Sequence, residues 1–326
     1  MPIRIAINGF GRIGRAAFKI ALENKNIEVV GINDLMDSKT LAHLLKYDTV
    51  YGEYDQAVLP TSRGIKVAGK EYLVLAEKEP AKLPWQKFKV DVVLECTGRF
   101  TNKKEASAHL QAGAKKVIIS APAKDNFTQT LIYGTKESAN SLSKGKAESV
   151  LSMASCTTNC ISPVIQVLDS KFGVEKALMT TIHSYTADQN LVDGPHRDLR
   201  RARAAAANII PTTTGAAIAT TKVVSGLKNL FDGIAIRVPT TCGSISDITA
   251  VLKRKNVTVK QINDEFKKAV KEPLFKNILA VNNKPLVSAD FVGSPYSAIV
   301  DLEFTRVVGG NLVKVLAWYD NEWAYS

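Results

Sequence analysis

The chain has 326 residues, of which 45% are hydrophobic and 23% charged, and its formal net charge is +12 at pH 7. That length allows two domains of ordinary size, and the composition is that of a soluble globular protein. The four cysteines are irregularly spaced, unlike those of a secreted disulfide-rich domain, and no apolar run reaches the ~18 residues of a membrane span. The N-terminal apolar run is too short for a signal peptide, so we expect a cytoplasmic protein.

The positive charge leaves two classes of partner open. A basic protein can bind nucleic acid, or it can concentrate small anions such as phosphates in a cleft. Most lysines are interspersed with acidic residues, which is typical of a solvated helix face. Residues 197–203 differ because they hold four arginines, and no aromatic residue interrupts them as single-stranded nucleic acid would require. This segment is a candidate anion site or, equally, a subunit contact.

The chain opens with a predicted buried strand, residues 3–7, followed at once by Gly9, Gly11 and Gly14. A helical pattern and a second strand come next, and Asp34 lies twenty residues after Gly14. In a dinucleotide site, Gly9 would make the tight turn, Gly11 would admit the pyrophosphate and Gly14 would let the helix pack on the sheet. Asp34 would accept from the ribose hydroxyls and repel a 2′-phosphate, which favours NAD over NADP. A plain strand–turn–helix unit is the alternative.

Further strands, at residues 91–95 and 116–120, alternate with helical patterns in the first half of the chain. This alternation predicts a Rossmann-type α/β domain whose mostly parallel sheet has helices on both faces. Ligands of such sheets lie at the carboxyl ends of the strands, where Asp34, Thr97 and Ser120 are found. We expect this dinucleotide-binding domain to span residues 1–155.

A second motif, Ser155-Cys156-Thr157-Thr158-Asn159-Cys160, follows an apolar run and precedes a helical pattern. Amides at a helix start stabilise a thiolate and can receive an oxyanion, so Cys156 is a candidate nucleophile. The ordinary alternative is a buried structural cysteine. A metal site is not expected, because no second close pair of cysteines accompanies Cys156 and Cys160. Pro163 predicts either a kink in this helix or a later start.

The second half of the chain has longer strands and fewer helices. We expect an α+β catalytic domain, residues 156–319, with a large mixed or antiparallel sheet and helices on one face. A polar loop is predicted over residues 187–210, and an alanine-rich helical stretch from Thr212. The predicted strands cover residues 175–181, 234–238, 246–252, 299–304 and 312–319.

A dinucleotide domain followed by an activated cysteine suggests the oxidation of an aldehyde. The thiolate would add to the aldehyde, the adduct would lose hydride to a nicotinamide, and a nucleophile would cleave the resulting thioester. This chemistry needs a base that is neutral near pH 7, which is a usual role of histidine. His43 and His109 lie in helical patterns, and His196 lies in the predicted loop of residues 187–210, called the arginine loop below, so their plain interpretation is structural. His183, at the end of a predicted strand, is the candidate base.

Several longer motifs are specific: INGFGRIGR at 7–15, LLKYD at 44–48, ECTGRF at 95–100, ASCTTNC at 154–160, TIHSYTADQ at 181–189, RRARAAAANIIPTTTGAA at 200–217 and WYDNEWAYS at 318–326. With these motifs the sequence resembles phosphorylating glyceraldehyde-3-phosphate dehydrogenase along essentially its whole length. The resemblance implies NAD as cofactor, glyceraldehyde 3-phosphate and inorganic phosphate as substrates, 1,3-bisphosphoglycerate as product, and a homotetramer.

The resemblance also implies roles for individual residues. Cys156 would be the nucleophile and His183 its base. The inorganic phosphate would be held by Ser155, Thr157, Thr214 and Gly215. The phosphate of the substrate would be held by Thr186, Arg201 and Arg237, with Arg200 not separable from Arg201. The NAD site would be lined by Gly9, Phe10, Gly11, Arg12, Ile13, Asp34, Lys78, Thr97, Ser120 and Asn321.

Some features of the family pattern are absent or ambiguous here. Lys78 stands where many members have an arginine beside the adenine, and Ala324 replaces a usual glycine. The resemblance implies that residues 320–326 return to the first domain and that a further helix follows the position of Ser326. Erythrose-4-phosphate dehydrogenase shares the scaffold and both catalytic residues, so the motifs leave it open as an alternative.

Overall fold

Alternating strands and helices in the first half of the chain build a nine-stranded sheet in the computed structural model, which describes residues 1–326. The strands of this half are β1 (Ile3–Asn8), β2 (Ile27–Asn33), β3 (Tyr47–Asp48), β4 (Gly52–Glu53), β5 (Val58–Pro60), β6 (Gly64–Val67), β7 (Lys70–Leu75), β8 (Val92–Glu95), β9 (Lys116–Ile119), β10 (Gln129–Thr130) and β11 (Val150–Ser152). Its α-helices are α1 (Arg12–Glu23), α2 (Ser38–Lys46), α3 (Lys103–Ala106) and α4 (Ala108–Gln111).

The strand order of this sheet is β10-β11-β9-β8-β1-β2-β7-β6-β5. All pairings from β10 to β7 are parallel, and the edge formed by β7, β6 and β5 is antiparallel. Alternate residues of β1 enter two separate core clusters, since Ile5 and Ile7 pack with Phe18 whereas Ala6 packs with Trp85. Both faces of the sheet are therefore covered, as predicted for a Rossmann-type domain.

The glycine-rich loop joins β1 to α1 with almost no space to spare. Gly9 has a φ of +93°, and a Cβ there would lie 2.7 Å from the Thr97 nitrogen. A Cβ on Gly14 would collide with the Gly9 carbonyl oxygen, whereas one on Gly11 would have no atom within 4 Å. Gly9 and Gly14 are thus required by the fold, and Gly11 is not.

A mixed seven-stranded sheet dominates the second half, in the order β13-β14-β12-β15-β18-β17-β16. Its strands are β12 (Val174–Ser184), β13 (Ile210–Thr213), β14 (Phe231–Val238), β15 (Ser244–Leu252), β16 (Leu279–Asn282), β17 (Ala298–Val308) and β18 (Leu312–Tyr319). The helices are α5 (Lys136–Ser143), α6 (Cys156–Phe172), α7 (Ala216–Thr221) and α8 (Val259–Ala269). In the whole chain, four short 3₁₀ turns occur, one in the first half at Pro80–Lys82 and three in the second half at Ala205–Ala207, Ser225–Leu227 and Ser288–Phe291.

Helix α6 is largely buried and packs against β15, β17 and β18 of this sheet. Its N-cap is Ser155, whose hydroxyl accepts from the Thr158 amide at 3.1 Å, and its C-cap is Gly173, which has a φ of 68°. Pro163 lies inside the helix, which nonetheless begins at Cys156. Of the two predicted alternatives, a later start is therefore excluded: the serine cap fixes the helix start about two turns before the proline.

The chain divides by its internal contacts into two units. The first contains Met1–Leu131, Lys146–Ala154 and Ser326, and the second contains Ile132–Gly145 and Ser155–Tyr325. The predicted first domain included residues 132–145, and residues 320–326 were expected to return to it. By internal contacts, residues 132–145 and 320–325 lie in the second unit. A second difference is β13, which occupies Ile210–Thr213 as an edge strand where helix was expected from Thr212. None of the helices has the length and apolar character needed to cross a bilayer.

The loop geometry predicts different consequences for two similar substitutions. Gly14→Ala should lower the free energy of unfolding by about 1–3 kcal/mol, because the new Cβ forces the backbone of Gly9 to move. Gly11→Ala should change it by less than about 0.5 kcal/mol, because the Cβ enters open space at an ordinary φ of −75°. Urea unfolding of the two variants checks this, and equal stabilities would contradict the loop packing described above.

Candidate functional site

Asp34 ties the glycine-rich loop to the end of β2. Its Oδ2 accepts from the Phe10 amide at 2.7 Å and its Oδ1 from the Met36 amide at 3.0 Å. A carboxylate has about four acceptor positions, so capacity for a ligand hydroxyl remains. The side chain of Phe10 is 1% exposed and packs edge-on against Phe18, so only its main chain can serve a cofactor.

The N-terminus of α1 follows directly, with Gly11 as an N-cap that supplies no capping side chain. The first turn contains no acidic residue, and amides at such a position favour a phosphate. The space around Gly11 and the acceptor capacity of Asp34 fit the pyrophosphate and ribose of a dinucleotide. Arg12 and Ile13 begin the helix, and the guanidinium of Arg12 pairs with Asp48. Lys78 is exposed in the segment after β7.

Thr97 is held in place by a buried network that the sequence analysis did not identify. Glu95, 1% exposed, accepts from both the amide and the hydroxyl of Thr97 with one carboxylate oxygen. Its other oxygen lies 2.5 Å from Asn8 Nδ2 and 3.0 Å from His109 Nε2. Because Trp85 donates to His109 Nδ1 at 3.0 Å, Nε2 is the ring nitrogen that donates to Glu95. His109 is structural, as expected. The sequence feature that could have identified Glu95 as a buried partner is its position as an acidic residue at the end of a predicted buried strand.

Ser120 directly follows β9 at the same edge of the sheet. Its amide and its hydroxyl both donate to the Glu95 main-chain carbonyl at 3.0 Å. Asp34, Thr97 and Ser120 therefore lie at the carboxyl ends of the parallel strands or directly after them, as predicted.

In the second unit, the Cys156 sulfur lies 3.4 Å from Nε2 of His183. Cys156 is the first residue of α6, and His183 is the penultimate residue of β12. The Nδ1 of His183 lies 2.6 Å from the Ser184 carbonyl, which can only accept, so Nδ1 carries the hydrogen. In the neutral ring Nε2 is consequently the acceptor, and it faces the thiol. The two predicted catalytic residues are together and in the orientation that proton transfer needs.

Burial and charge act in opposite directions on this pair. Burial raises the pKa of the Cys156 thiol, while the positive charge of Arg237 and hydrogen bonds at the start of α6 oppose that change. Burial lowers the pKa of the His183 imidazole, and Arg237 adds to the effect. A proton that passes from the sulfur to Nε2 leaves the net charge of the pair unchanged. At Cys96, burial raises the pKa of the thiol to about 12, and the charge of Glu95 acts in the same direction, whereas at Cys156 the charge of Arg237 opposes burial.

Tyr319 joins this site from the far end of the chain. Its hydroxyl lies 2.9 Å from Thr157 Oγ1 and 2.8 Å from Thr181 Oγ1, and its ring meets His183 edge-on at 6.0 Å. Burial raises the pKa of this phenol, so it stays neutral and able to donate. Tyr319 therefore holds Thr157 beside Cys156, a role that no local pattern around either residue predicts.

Arg237 is placed beside His183 because β14 runs parallel to β12 in a register that pairs the two residues. Its Nη1 donates to Thr186 Oγ1 and to the Ser184 carbonyl, both at 3.1 Å. Its Nε is buried without a protein partner. Burial lowers the pKa of this guanidinium, and the charge of Arg201 contributes in the same direction. Two neighbouring guanidinium groups, one of them with an unpartnered N–H, form a site suited to an anion.

Arg201, rather than Arg200, faces this cluster. Arg200 is exposed, whereas Arg201 donates to Thr212 Oγ1 at 3.0 Å and to the Thr213 carbonyl at 3.2 Å and pairs with Asp188. Thr214 and Gly215 follow immediately, and Thr214 Oγ1 accepts from the Ala216 amide at 3.2 Å. No direct hydrogen bond joins Thr214 or Gly215 to Cys156 or His183. Asn321, 5% exposed in the second unit, accepts from Ser244.

Comparisons with known proteins cover nearly the whole chain. Residues 3–103 match the family model described as glyceraldehyde 3-phosphate dehydrogenase, NAD binding domain, and residues 155–321 match that of the C-terminal domain. A glyceraldehyde-3-phosphate dehydrogenase of Geobacillus stearothermophilus is 51% identical over 326 residues, covering 100% of this chain and 96% of the relative. A second relative with that name, numbered 1 in Bacillus cereus, is 52% identical over 323 residues, covering 99% of this chain and 95% of its own. The chain belongs to the glyceraldehyde-3-phosphate dehydrogenase family.

Proposed function

We propose that the chain catalyses the NAD-dependent oxidation and phosphorylation of D-glyceraldehyde 3-phosphate to 1,3-bisphosphoglycerate. The observation that carries the proposal is the 3.4 Å contact of Cys156 with His183, with the guanidinium of Arg237 close enough to affect the pKa of both. A thiol, a base with a fixed tautomer and an anion site are what an aldehyde bearing a phosphate requires.

The first step is addition of the sulfur to the aldehyde. His183 Nε2 takes the thiol proton, the sulfur forms a bond to the carbonyl carbon, and the carbonyl oxygen receives the proton from Nε2 to give a hemithioacetal. Amides at the start of α6 are placed to stabilise the negative charge that develops on that oxygen.

The second step breaks the C–H bond of the hemithioacetal. His183 takes the hydroxyl proton back as the carbon loses hydride, and a thioester on Cys156 remains. NAD, when bound, supplies the acceptor of that hydride. An oxygen of inorganic phosphate then attacks the thioester carbon, and the C–S bond breaks to release the acyl phosphate and the thiolate.

Two phosphate positions follow from the residues around the pair. Arg237, Thr186 and Arg201 supply the charged and hydroxyl donors suited to the phosphate of the substrate. Ser155, Thr157, Thr214 and Gly215 are proposed for inorganic phosphate. For the first two, support comes from their position on either side of Cys156 and from the Tyr319 contact that holds Thr157.

The residues proposed to hold NAD fit a dinucleotide. The first unit would supply the main chain of Gly9, Phe10 and Gly11, the start of α1 at Arg12 and Ile13, and the side chains of Asp34, Lys78, Thr97 and Ser120. Asn321, in the second unit, is proposed to bind the nicotinamide amide. Accordingly, residues 1–155 are proposed as the NAD-binding part and residues 156–319 as the catalytic part.

We infer that the chain assembles as a homotetramer in the cytoplasm. The family resemblance suggests this assembly, and exposed apolar side chains on the outward face of the second sheet support it, among them Leu178 and Ile234. The arginine loop adds Leu199 and Ile209. Light scattering at micromolar concentration checks the inference, since a monomeric mass would contradict it. Nucleic acid is not expected as the main partner, since Arg201 and Arg203 pair with the carboxylates of Asp188 and Asp193.

The function is tested by NAD reduction with glyceraldehyde 3-phosphate as the aldehyde. Turnover should require inorganic phosphate, because without it the thioester on Cys156 is cleaved only by water. Cys156→Ser should abolish turnover, and Cys160→Ser, one helical turn on, serves as the matched control. Erythrose 4-phosphate, assayed in parallel, should give the lower kcat/KM. Phosphate-independent turnover, or a higher kcat/KM with erythrose 4-phosphate, would contradict the proposal.

Arg237 should act on the phosphate of the substrate. Arg237→Ala should lower kcat/KM for glyceraldehyde 3-phosphate by about 10²-fold, on the order of 2.7 kcal/mol, because a charge-assisted contact is lost. The kcat/KM for unphosphorylated glyceraldehyde should fall far less. The exposed Arg200 supplies the control, and Arg200→Ala should change neither value by more than about twofold. Equal losses with both aldehydes for Arg237→Ala would make that residue structural.

A further inference from the structure

Ser244 lies at the centre of a buried hydrogen-bond chain that the proposed function does not use. It is the first residue of β15 and 1% exposed. Its hydroxyl lies 3.1 Å from the Ser184 amide and 2.9 Å from Asn321 Oδ1. A main-chain N–H can only donate, so the hydroxyl oxygen accepts from Ser184 and its single hydrogen goes to Asn321.

One end of this chain is the base. Ser184 follows His183 directly, and its carbonyl receives the hydrogen of His183 Nδ1 at 2.6 Å and that of Arg237 Nη1 at 3.1 Å. The Ser184 hydroxyl donates to the Gly243 carbonyl at 3.0 Å, so this residue is anchored to the segment that leads into Ser244. His183 and Ser244 are therefore fixed relative to one another.

The other end is Asn321. The main chain around it is held by the carboxylate of Asp320, which accepts from the amides of Glu322 and Trp323 at 2.8 Å and of Gly293 at 2.7 Å. The remaining freedom is the rotation of the Asn321 side chain. Its Oδ1 accepts from the Ser244 hydroxyl, whereas Cys242 Sγ lies 3.8 Å from that oxygen and closer, at 3.1 Å, to Asp320 Oδ1. The Ser244 hydroxyl thus determines which edge of the amide is turned toward a ligand.

We propose that Ser244 is a positioning residue, which fixes the side-chain amide of Asn321 relative to His183 and so sets how the nicotinamide amide of the cofactor is received. The proposal rests on the proposed function, in which Asn321 binds that amide. Removing the hydroxyl leaves the Ser184 N–H and Asn321 Oδ1 without their partner in a buried place, and the asparagine becomes free to turn.

The test compares Ser244→Ala with Ser246→Ala. Ser246 is two residues further along β15, equally buried, and its hydroxyl has no nitrogen or oxygen partner, so it is a matched deletion of one oxygen atom. Ser244→Ala should raise the KM for NAD about tenfold, because Asn321 loses the hydrogen bond that orients its amide. The KM for glyceraldehyde 3-phosphate should stay within about twofold, because Ser184 remains anchored through its own hydroxyl to the Gly243 carbonyl. Ser246→Ala should leave both within about twofold. A similar rise in both KM values for Ser244→Ala would overturn the specific role of Ser244.

A double-mutant cycle shows whether Ser244 acts through Asn321. In an Asn321→Ala background, Ser244→Ala should change the KM for NAD by less than about twofold. The full effect of Ser244→Ala in that background, or none in the unmodified protein, would overturn the role of Ser244. If Ser244→Ala fails to fold, Ser244→Cys keeps the volume with a weaker donor, and it should raise the KM for NAD while an unchanged value would overturn the proposal. An unchanged KM for NAD in Asn321→Ala alone would instead remove Asn321 from the proposed function.

Discussion

The contact between the Cys156 sulfur and Nε2 of His183, at 3.4 Å, is the interaction on which the rest of the site depends. Each partner is set by a local feature of the chain. The Ser155 cap fixes where α6 begins and hence where the sulfur lies, and the Ser184 carbonyl fixes which ring nitrogen is the acceptor. Arg237 then holds Thr186, close after His183 in the chain, and Tyr319 holds Thr157, the residue after Cys156. A shift of the helix start by one residue would turn the sulfur by about 100° around the helix axis and away from the ring.

Burial makes this arrangement both costly and useful. An ionised group in such a place is stable only with nearby compensating charge or hydrogen bonds, and the thiolate has the amides of α6 and the charge of Arg237. The guanidinium of Arg237 is itself buried beside Arg201, with its Nε unpartnered. A bound phosphate would supply the missing acceptor and the opposite charge. The protein on its own therefore holds a site whose unsatisfied groups match the substrate proposed for it.

Local patterns were sufficient to predict much of the fold. The glycine spacing, the acid at Asp34 and the strand–helix alternation predicted the first sheet, because each is determined by neighbouring residues. The cysteine at a helix start and the histidine at a strand end were predicted for the same reason. Contacts between distant segments were not: Tyr319 reaches Thr157 across 162 positions, and Glu95 reaches His109 only because two elements pack together. At the start of α6, the Ser155 cap sets the first residue of the helix although Pro163 lies inside it. Residues Ile210–Thr213 form a strand because they pair with β14, which is distant in sequence.

The central claim is that Cys156 reacts because His183 accepts its proton. Sub-stoichiometric iodoacetamide at neutral pH, followed by mass-spectrometric mapping of all four cysteines, tests it most directly. The account predicts that Cys156 is labelled well before Cys96, Cys160 and Cys242. It also predicts that His183→Asn slows that labelling and lowers turnover by about 10²-fold or more, the usual scale for a lost acid–base group. Earlier labelling of another cysteine, or an unchanged rate at Cys156 in His183→Asn, would contradict it.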